Sequence, residues 1–228
     1  MSTFAVPQPM PGLANEILSA AAHRGCALTR RRVGKGDLIS LLDGRGAAVH
    51  VLGHGRAKVL RFSDEGRVIL LDLVEAGELF GEMSFLSGEH HPGRSQSYLE
   101  ALEITELVSI PRLTFERVLA GRPSLALRVA GLLAERCSRL EERLESQVFH
   151  RVPKRLAKQL LELAERYGET RGSGTVIGLN LSQQDLGNLI GASREIVSLT
   201  LTDFKRRGWV TSVGRRLVVH EDKLRASL

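Results

Sequence analysis

Cysteine is nearly absent from the chain: Cys26 and Cys137 are the only two among 228 residues. They lie far apart and fit no metal-binding or redox spacing, so a reducing, cytoplasmic setting is expected. No stretch approaches the roughly 18 uninterrupted apolar residues of a membrane span, and no membrane partner is expected. The segment from Met1 to Pro11 has no positive charge ahead of an apolar run. It is therefore not expected to be a secretory signal and reads as a short disordered lead-in. No Ser-His-Asp or Cys-His arrangement is apparent, so nothing points to an enzyme.

What the chain does have is enough apolar residue, 43%, for real cores. Its length suits two domains. The net charge of +6 is unevenly placed. Residues 1–149 hold 18 Lys+Arg against 18 Asp+Glu, whereas residues 150–228 hold 14 against 8. The whole excess lies in the C-terminal third, as expected if that third meets a polyanion. A solvated basic surface would look the same, so the charge needs a motif to give it meaning.

Residues 28–110 read as many short strands. Val- and Leu-rich runs at 48–52, 57–62 and 68–73 are punctuated by glycines, and Glu65-Gly66 between two of them reads as a hairpin turn. Such spacing suggests a barrel or sandwich. A short helix is expected over 113–121, and Pro123 suits the first turn of a long one. From Ala126, small or apolar residues recur at Ala130, Leu133, Cys137, Leu140 and Leu144, followed by Gln147. That alternation of four and three is a coiled-coil seam, on a helix over 123–149 about 40 Å long. Packing on the helix's own domain is the alternative. A further helix is expected over 153–167, with Leu156, Leu160, Leu161, Leu163 and Ala164 as its apolar face. Residues 168–178 read as a Gly-rich turn or loop.

The local chemistry sharpens near residue 190. Ser182 followed by Asp185 resembles a capping box and starts a helix. Gly191-Ala192 ends it, with glycine free to take the left-handed conformation of a sharp turn. Ser193 is a strong N-cap for a second helix over 194–207, with Ile196, Val197, Leu201 and Phe204 as its expected buried face. Two short helices joined by a tight glycine turn make a helix-turn-helix. Ser193, Arg194, Glu195 and Ser198 fall at the end of the second helix that would meet base edges. Arg can donate two hydrogen bonds to guanine O6 and N7, and Glu can accept from cytosine N4. Lys205, Arg206 and Arg207 suit phosphates. Trp209 to Val219 reads as a basic-tipped hairpin, a wing. A helical hairpin without a nucleic-acid role is the competing interpretation.

The run from Leu181 to Val197, with Asp203 to Val210, resembles the cyclic-AMP receptor protein / FNR family, and the resemblance covers nearly the whole chain. It implies an α+β protein of three parts: a cyclic-nucleotide-binding-like β-roll over 1–122, a dimerisation helix over 123–149 and a winged helix-turn-helix over 150–228. It implies a regulator that binds double-stranded DNA as a homodimer and contacts RNA polymerase. Arg194 and Glu195 would be the base-reading pair, with Ser182 and Gln183 near the phosphate backbone. Gly81, Glu82 and Met83, with Arg94 and Ser95, would be the cyclic-nucleotide cassette. Glycine-turn amides and an Arg would hold a phosphate, and a Glu would accept from a ribose hydroxyl.

The sequence departs from the family pattern in places. The best-known member has a second base-contacting Arg where this chain has Leu199, which implies a different or less stringent operator. Counting back from Thr105 places Ser95 and Gln96, not Arg94 and Ser95, at the cassette's Arg-Ser, and the segment 84–93 is about two residues longer. Leu140-Glu141 replaces a Thr-Ser pair that touches adenine, and a buried Glu there would need a partner. Cyclic AMP, another nucleotide and no effector at all therefore stay open. An iron–sulfur cluster would need about four cysteines, so none is expected. No metal is expected either, because His90-His91 on an expected loop has no third ligand.

Overall fold

The structure is a computed structural model, and it describes residues 12–23, 28–41, 48–82, 97–226 and 228. Several residues weighed above lie outside these: Cys26, Met83, His90, His91, Arg94, Ser95 and Gln96. The chain forms two compact units, Met1–Glu135 and Arg136–Leu228. The fold is α+β, as expected.

The first unit contains eight strands in two four-stranded antiparallel sheets. The strands are β1 (Thr29–Val33), β2 (Leu38–Ser40), β3 (Ala48–His54), β4 (Arg56–Phe62), β5 (Val68–Glu75), β6 (Leu79–Phe80), β7 (Ser97–Ala101) and β8 (Thr105–Pro111). One sheet runs β1-β8-β3-β6 and the other β2-β7-β4-β5. The two-residue period of a strand explains how the first sheet serves two cores. On β3, Val49 and Val51 join one apolar cluster while Leu52 joins the other. On β8, Val108 and Ile110 go one way and Leu107 the other. The cluster between the sheets includes Val33, Leu52, Phe80, Leu99 and Leu107.

The second cluster is closed by helices α1 (Leu13–His23), α2 (Arg112–Gly121) and the start of α3 (Pro123–Phe149). Ala14, Ile17, Ala20, Ala21, Phe115, Val118, Leu125 and Val129 are its buried helical residues. Each large apolar side chain buried there contributes about 1.5–3 kcal/mol. The helix α1 is an element absent from the expectations above.

The helix α3 has the expected bounds, but its faces divide differently. Leu125 and Val129 are buried in the first unit's own core, and Leu132 and Leu133 are half-buried against it. Leu133 is thus largely withdrawn from the expected seam, because the 125–129–132 face is needed locally. Ala130, Cys137, Leu140, Leu144 and Gln147 are exposed, as are Leu127 and Val148. An apolar stripe therefore remains open along the other side of the helix.

The second unit follows with α4 (Val152–Tyr167), the hairpin β9 (Gly168–Arg171) and β10 (Gly174–Ile177), α5 (Gln183–Ile190), α6 (Arg194–Arg206), the hairpin β11 (Val210–Val213) and β12 (Arg216–Val219), and α7 (Glu221–Arg225). The stretch 168–178 is thus mostly a hairpin rather than a loop. Gly172 at φ +61° turns it, and β10 is held by pairing with β12, giving the sheet order β11-β12-β10-β9. Pro153 occupies the first turn of α4, where a missing N–H is harmless. Leu156, Leu160, Leu161, Leu163 and Ala164 are buried, as their spacing requires. The helix packs against α5, α6 and β12.

Candidate nucleic-acid interface

The helix α5 starts at a complete capping box. The Ser182 hydroxyl accepts from the Asp185 backbone N–H at 3.0 Å, and the Ser182 backbone N–H donates to Asp185 Oδ2 at 2.9 Å. Two otherwise orphaned donors are satisfied. The helix ends at Gly191, with φ +64° and ψ +48°, a left-handed conformation that L-residues with a Cβ seldom adopt. Ala192 N–H then returns to the Gly187 carbonyl at 3.0 Å. A Cβ on Gly187 would lie 2.6 Å from the Ala192 carbonyl oxygen, so the tightness of the turn demands glycine at a second position. Ser193 caps α6 by accepting from the Ile196 N–H at 3.4 Å.

This geometry orients α6. Val197, Thr200, Leu201 and Phe204 are its buried residues, spaced i, i+3, i+4 and i+7. Ile196, expected on that face, is 45% exposed, because it sits at the flank of the buried stripe rather than within it. Arg194, Glu195, Leu199 and Thr202 are exposed, with Ser198 half-buried between them. Leu199 is 73% exposed, far more than an apolar residue of a core-facing stripe. Thr202 is absent from the expectations above, and helical periodicity from Ser198 and Leu199 could have found it. Ser182 and Ser193 are exposed and Gln183 half-buried, so the caps of both helices and the start of α6 are open to solvent.

The electrostatics suit a polyanion. The Glu195 carboxyl is held below the usual carboxylate range by its own backbone N–H and by the Ser193 hydroxyl, with Arg194 adding to the effect. It is therefore ionised, and acts only as an acceptor, at neutral pH. Asp203 is likewise lowered, chiefly by its hydrogen bond with Arg206 and then by Arg207. Arg206 reaches Asp203 Oδ1 at 2.5 Å and Arg207 reaches Oδ2 at 2.7 Å. Arg207 also stacks over Trp209 at 4.9 Å. These pairs hold two of the three cations at the end of α6 in place. Exposed pairs of this kind contribute only about 0–1 kcal/mol and yield readily to a phosphate. Beyond them, Gly214 turns the β11–β12 hairpin, and Arg215 and Arg216 are exposed at its tip.

In the first unit, Gly81 follows β6 with φ +84°, and Glu82 is only 1% exposed. His50, which hydrogen-bonds Ser109 at 2.9 Å and stacks on Phe80, lies against the Gly81 backbone. Met83, Arg94 and Ser95, the rest of the expected cassette, lie outside the described residues.

Comparison with known proteins matches residues 30–122 to a cyclic nucleotide-binding domain and residues 154–227 to a Crp-like helix-turn-helix domain. A CRP-like cAMP-activated global transcriptional regulator of Mycobacterium tuberculosis is 32% identical over 178 residues, covering 78% of each chain. Among solved structures, a CooA mutant from Carboxydothermus hydrogenoformans superimposes with a TM-score of 0.73 at 22% identity, over 88% of this chain and 87% of that one. The c-di-GMP-responsive global regulator CLP of Xanthomonas campestris gives 0.72 at 21% identity, over 91% and 99%. With a paired sensor-type β-roll and winged helix-turn-helix, and with this relative at 32% identity, the chain belongs to the Crp/Fnr family of transcriptional regulators.

Proposed function

We propose that the chain is a non-enzymatic, cytoplasmic regulator that binds a specific double-stranded DNA site as a homodimer. Residues 1–122 would be the sensor, 123–149 the dimerisation helix and 150–228 the DNA-binding part. The observation that carries this reading is the exposed N-terminal end of α6, with Arg194 and Glu195 presented by a capped, glycine-closed turn. Arg194 reads guanine and Glu195 accepts from cytosine, with Ser193 and Ser198 beside them. Ser182 and Gln183 meet the phosphate backbone, which positions without specifying sequence. RNA polymerase is the further partner that the family role requires. Among the described residues no helix is long and apolar enough to cross a membrane.

Selection of sites from random duplexes by the full chain tests this reading. An inverted repeat with half-site centres about 34 Å apart is expected, and the absence of any enriched sequence overturns it.

Leu199 gives the site its own preference. An exposed apolar side chain one turn beyond Glu195 fits the C5-methyl of thymine better than any polar base edge. Leu199→Arg is expected to move the preference at one base pair of each half-site from thymine to guanine, by about 1–3 kcal/mol. Selection repeated with the variant checks this, and an unchanged site removes Leu199 from the reading face.

For the sensor, the buried Glu82 carboxylate and the left-handed Gly81 at the end of β6 fit the ribose-binding start of a nucleotide cassette. Met83, Arg94 and Ser95 would complete it. A bound cyclic nucleotide would supply a phosphate and a ribose for these groups to hold. Cyclic AMP is the first candidate, in keeping with the name of the mycobacterial relative. The c-di-GMP-responsive fold neighbour keeps a different nucleotide as the alternative, and effector-independent binding is the third reading. Calorimetry with cyclic AMP separates them: no heat at millimolar ligand alongside tight operator binding favours effector independence.

A further inference from the structure

Arg155, on the first turn of α4, holds the ends of two other helices. Its Nη1 donates to the Gln147 carbonyl at 3.3 Å, and its Nη2 donates to the Gly191 carbonyl at 3.2 Å. Gln147 is in the last turn of α3, and Gly191 is the C-cap of α5. The final carbonyls of a helix have no intrahelical donor and carry the negative end of its dipole. One guanidinium therefore meets two such ends at once. Among the described residues no carboxylate pairs with Arg155, and its Nε is buried without a hydrogen-bond partner. The two carbonyls are what hold the group.

The same junction is closely packed. A Cβ on Gly191 would lie 3.1 Å from Gln147 Nε2, so the turn of the helix-turn-helix abuts the end of α3. That end of α3 also carries Leu140 and Leu144 of the expected seam, both exposed, with Val148 exposed beside them. Gly191 in turn sets the direction in which α6 begins. The fork thus ties the proposed dimer seam to the reading helix within a single compact unit.

We propose that Arg155 is the positioning residue that fixes the helix-turn-helix at one angle to the end of α3, and so sets the half-site spacing the dimer accepts. This rests on the dimeric DNA-binding reading above. The planar fork matters as well as the charge. A lysine can meet one carbonyl as a point charge but cannot span both with a rigid geometry. Without the fork, α5 and α6 keep their own caps and turn, so each still recognises a half-site. What is lost is the fixed separation between the two copies.

The test uses the full-length chain with Arg155→Met, which keeps an apolar stem, and Arg155→Lys, which keeps the charge. Binding is measured on the selected operator, on operators with one base pair added or removed at the centre, and on a single half-site. The unsubstituted protein is expected to lose roughly tenfold or more on either spacer change, the scale of a lost base-pair contact. Both variants are expected to hold the single half-site within about threefold of that protein while their spacer preference falls below about threefold. An unchanged spacer preference in both variants overturns the proposal. So does an equal loss on every duplex, which would mark a merely structural arginine. If Arg155→Met fails to fold, Arg155→Lys carries the same comparison. Should the unsubstituted protein itself show no specific binding, the DNA-binding reading falls and the spacing role falls with it. Specific binding without a variant effect sinks the spacing role alone.

Discussion

Arg194→Ala is expected to abolish specific operator binding while leaving a weaker, salt-sensitive affinity for any duplex. Arg194 is exposed at the first position of α6, just after the Ser193 cap, and is not one of the four residues that the helix buries. Its removal should therefore leave the fold intact. A bidentate arginine–guanine contact discriminates by about 1–3 kcal/mol. A symmetric dimer makes it twice, so the operator should weaken by roughly 30-fold to 20,000-fold. The lysines and arginines beyond it still neutralise phosphates, so affinity for random DNA survives and declines steeply with salt. Titrating operator and scrambled duplexes at two salt concentrations separates these effects. Equal losses on both duplexes would make Arg194 a phosphate contact, and an unchanged ratio between them would remove it from recognition. Glu195 offers a complementary check. Its carboxyl is held low by its own N–H and the Ser193 hydroxyl, so acidification from neutral pH leaves it charged until well into the acid range. Operator preference should then be flat across neutral pH.

The second unit was the more legible in the sequence because its signals are local. The Ser182–Asp185 box, the Gly191 turn and the Ser193 cap each lie within a few residues, and all three are found as expected. The bounds of α3 were readable for the same reason: Pro123 marks its start. Signals failed where the deciding partner is distant. The hairpin of β9 and β10 has strands of only four residues, and what holds β10 is β12, about forty residues later. In the first unit, strands could be placed but not paired. The joining of β1 with β8 matches Thr29 to Ser109, which no local pattern encodes. Ile196 and Leu133 show the limit of periodicity. Each sits at the flank of a stripe whose centre is fixed by the neighbouring element rather than by spacing. Alanine accounts for the silence of α1: Ala14, Ala20 and Ala21 supply most of its buried face and carry little apolar signal. Of the expected cassette, Gly81 and Glu82 fall among the described residues.

Replacing Leu140 by Glu should split the dimer. Leu127, Leu140, Leu144 and Val148 are large apolar residues left open on α3, at 48–76% exposure, after the 125–129–132 face has been taken into the first unit. A helix face of that kind in water is a liability unless another surface covers it. Alternating spacing of three and four along the stripe, from Cys137 through Leu140 and Leu144 to Gln147, fits a second copy of the same helix side by side. Burying one leucine contributes about 1.5–3 kcal/mol, and a two-fold seam uses each position twice. Leu140→Glu removes both contributions and sets two carboxylates against an apolar seam, where an uncompensated charge is strongly unfavourable. The dimer dissociation constant should rise by at least about 100-fold. Each monomer should keep its fold, because Leu140 is exposed in the single chain. Sedimentation over a range of concentrations reads the first effect and circular dichroism the second. Loss of the dimer should also convert operator binding into weak occupancy of single half-sites, since the two reading helices are then no longer joined. A variant that sediments as an intact dimer at micromolar concentration would place the self-association surface elsewhere on the molecule.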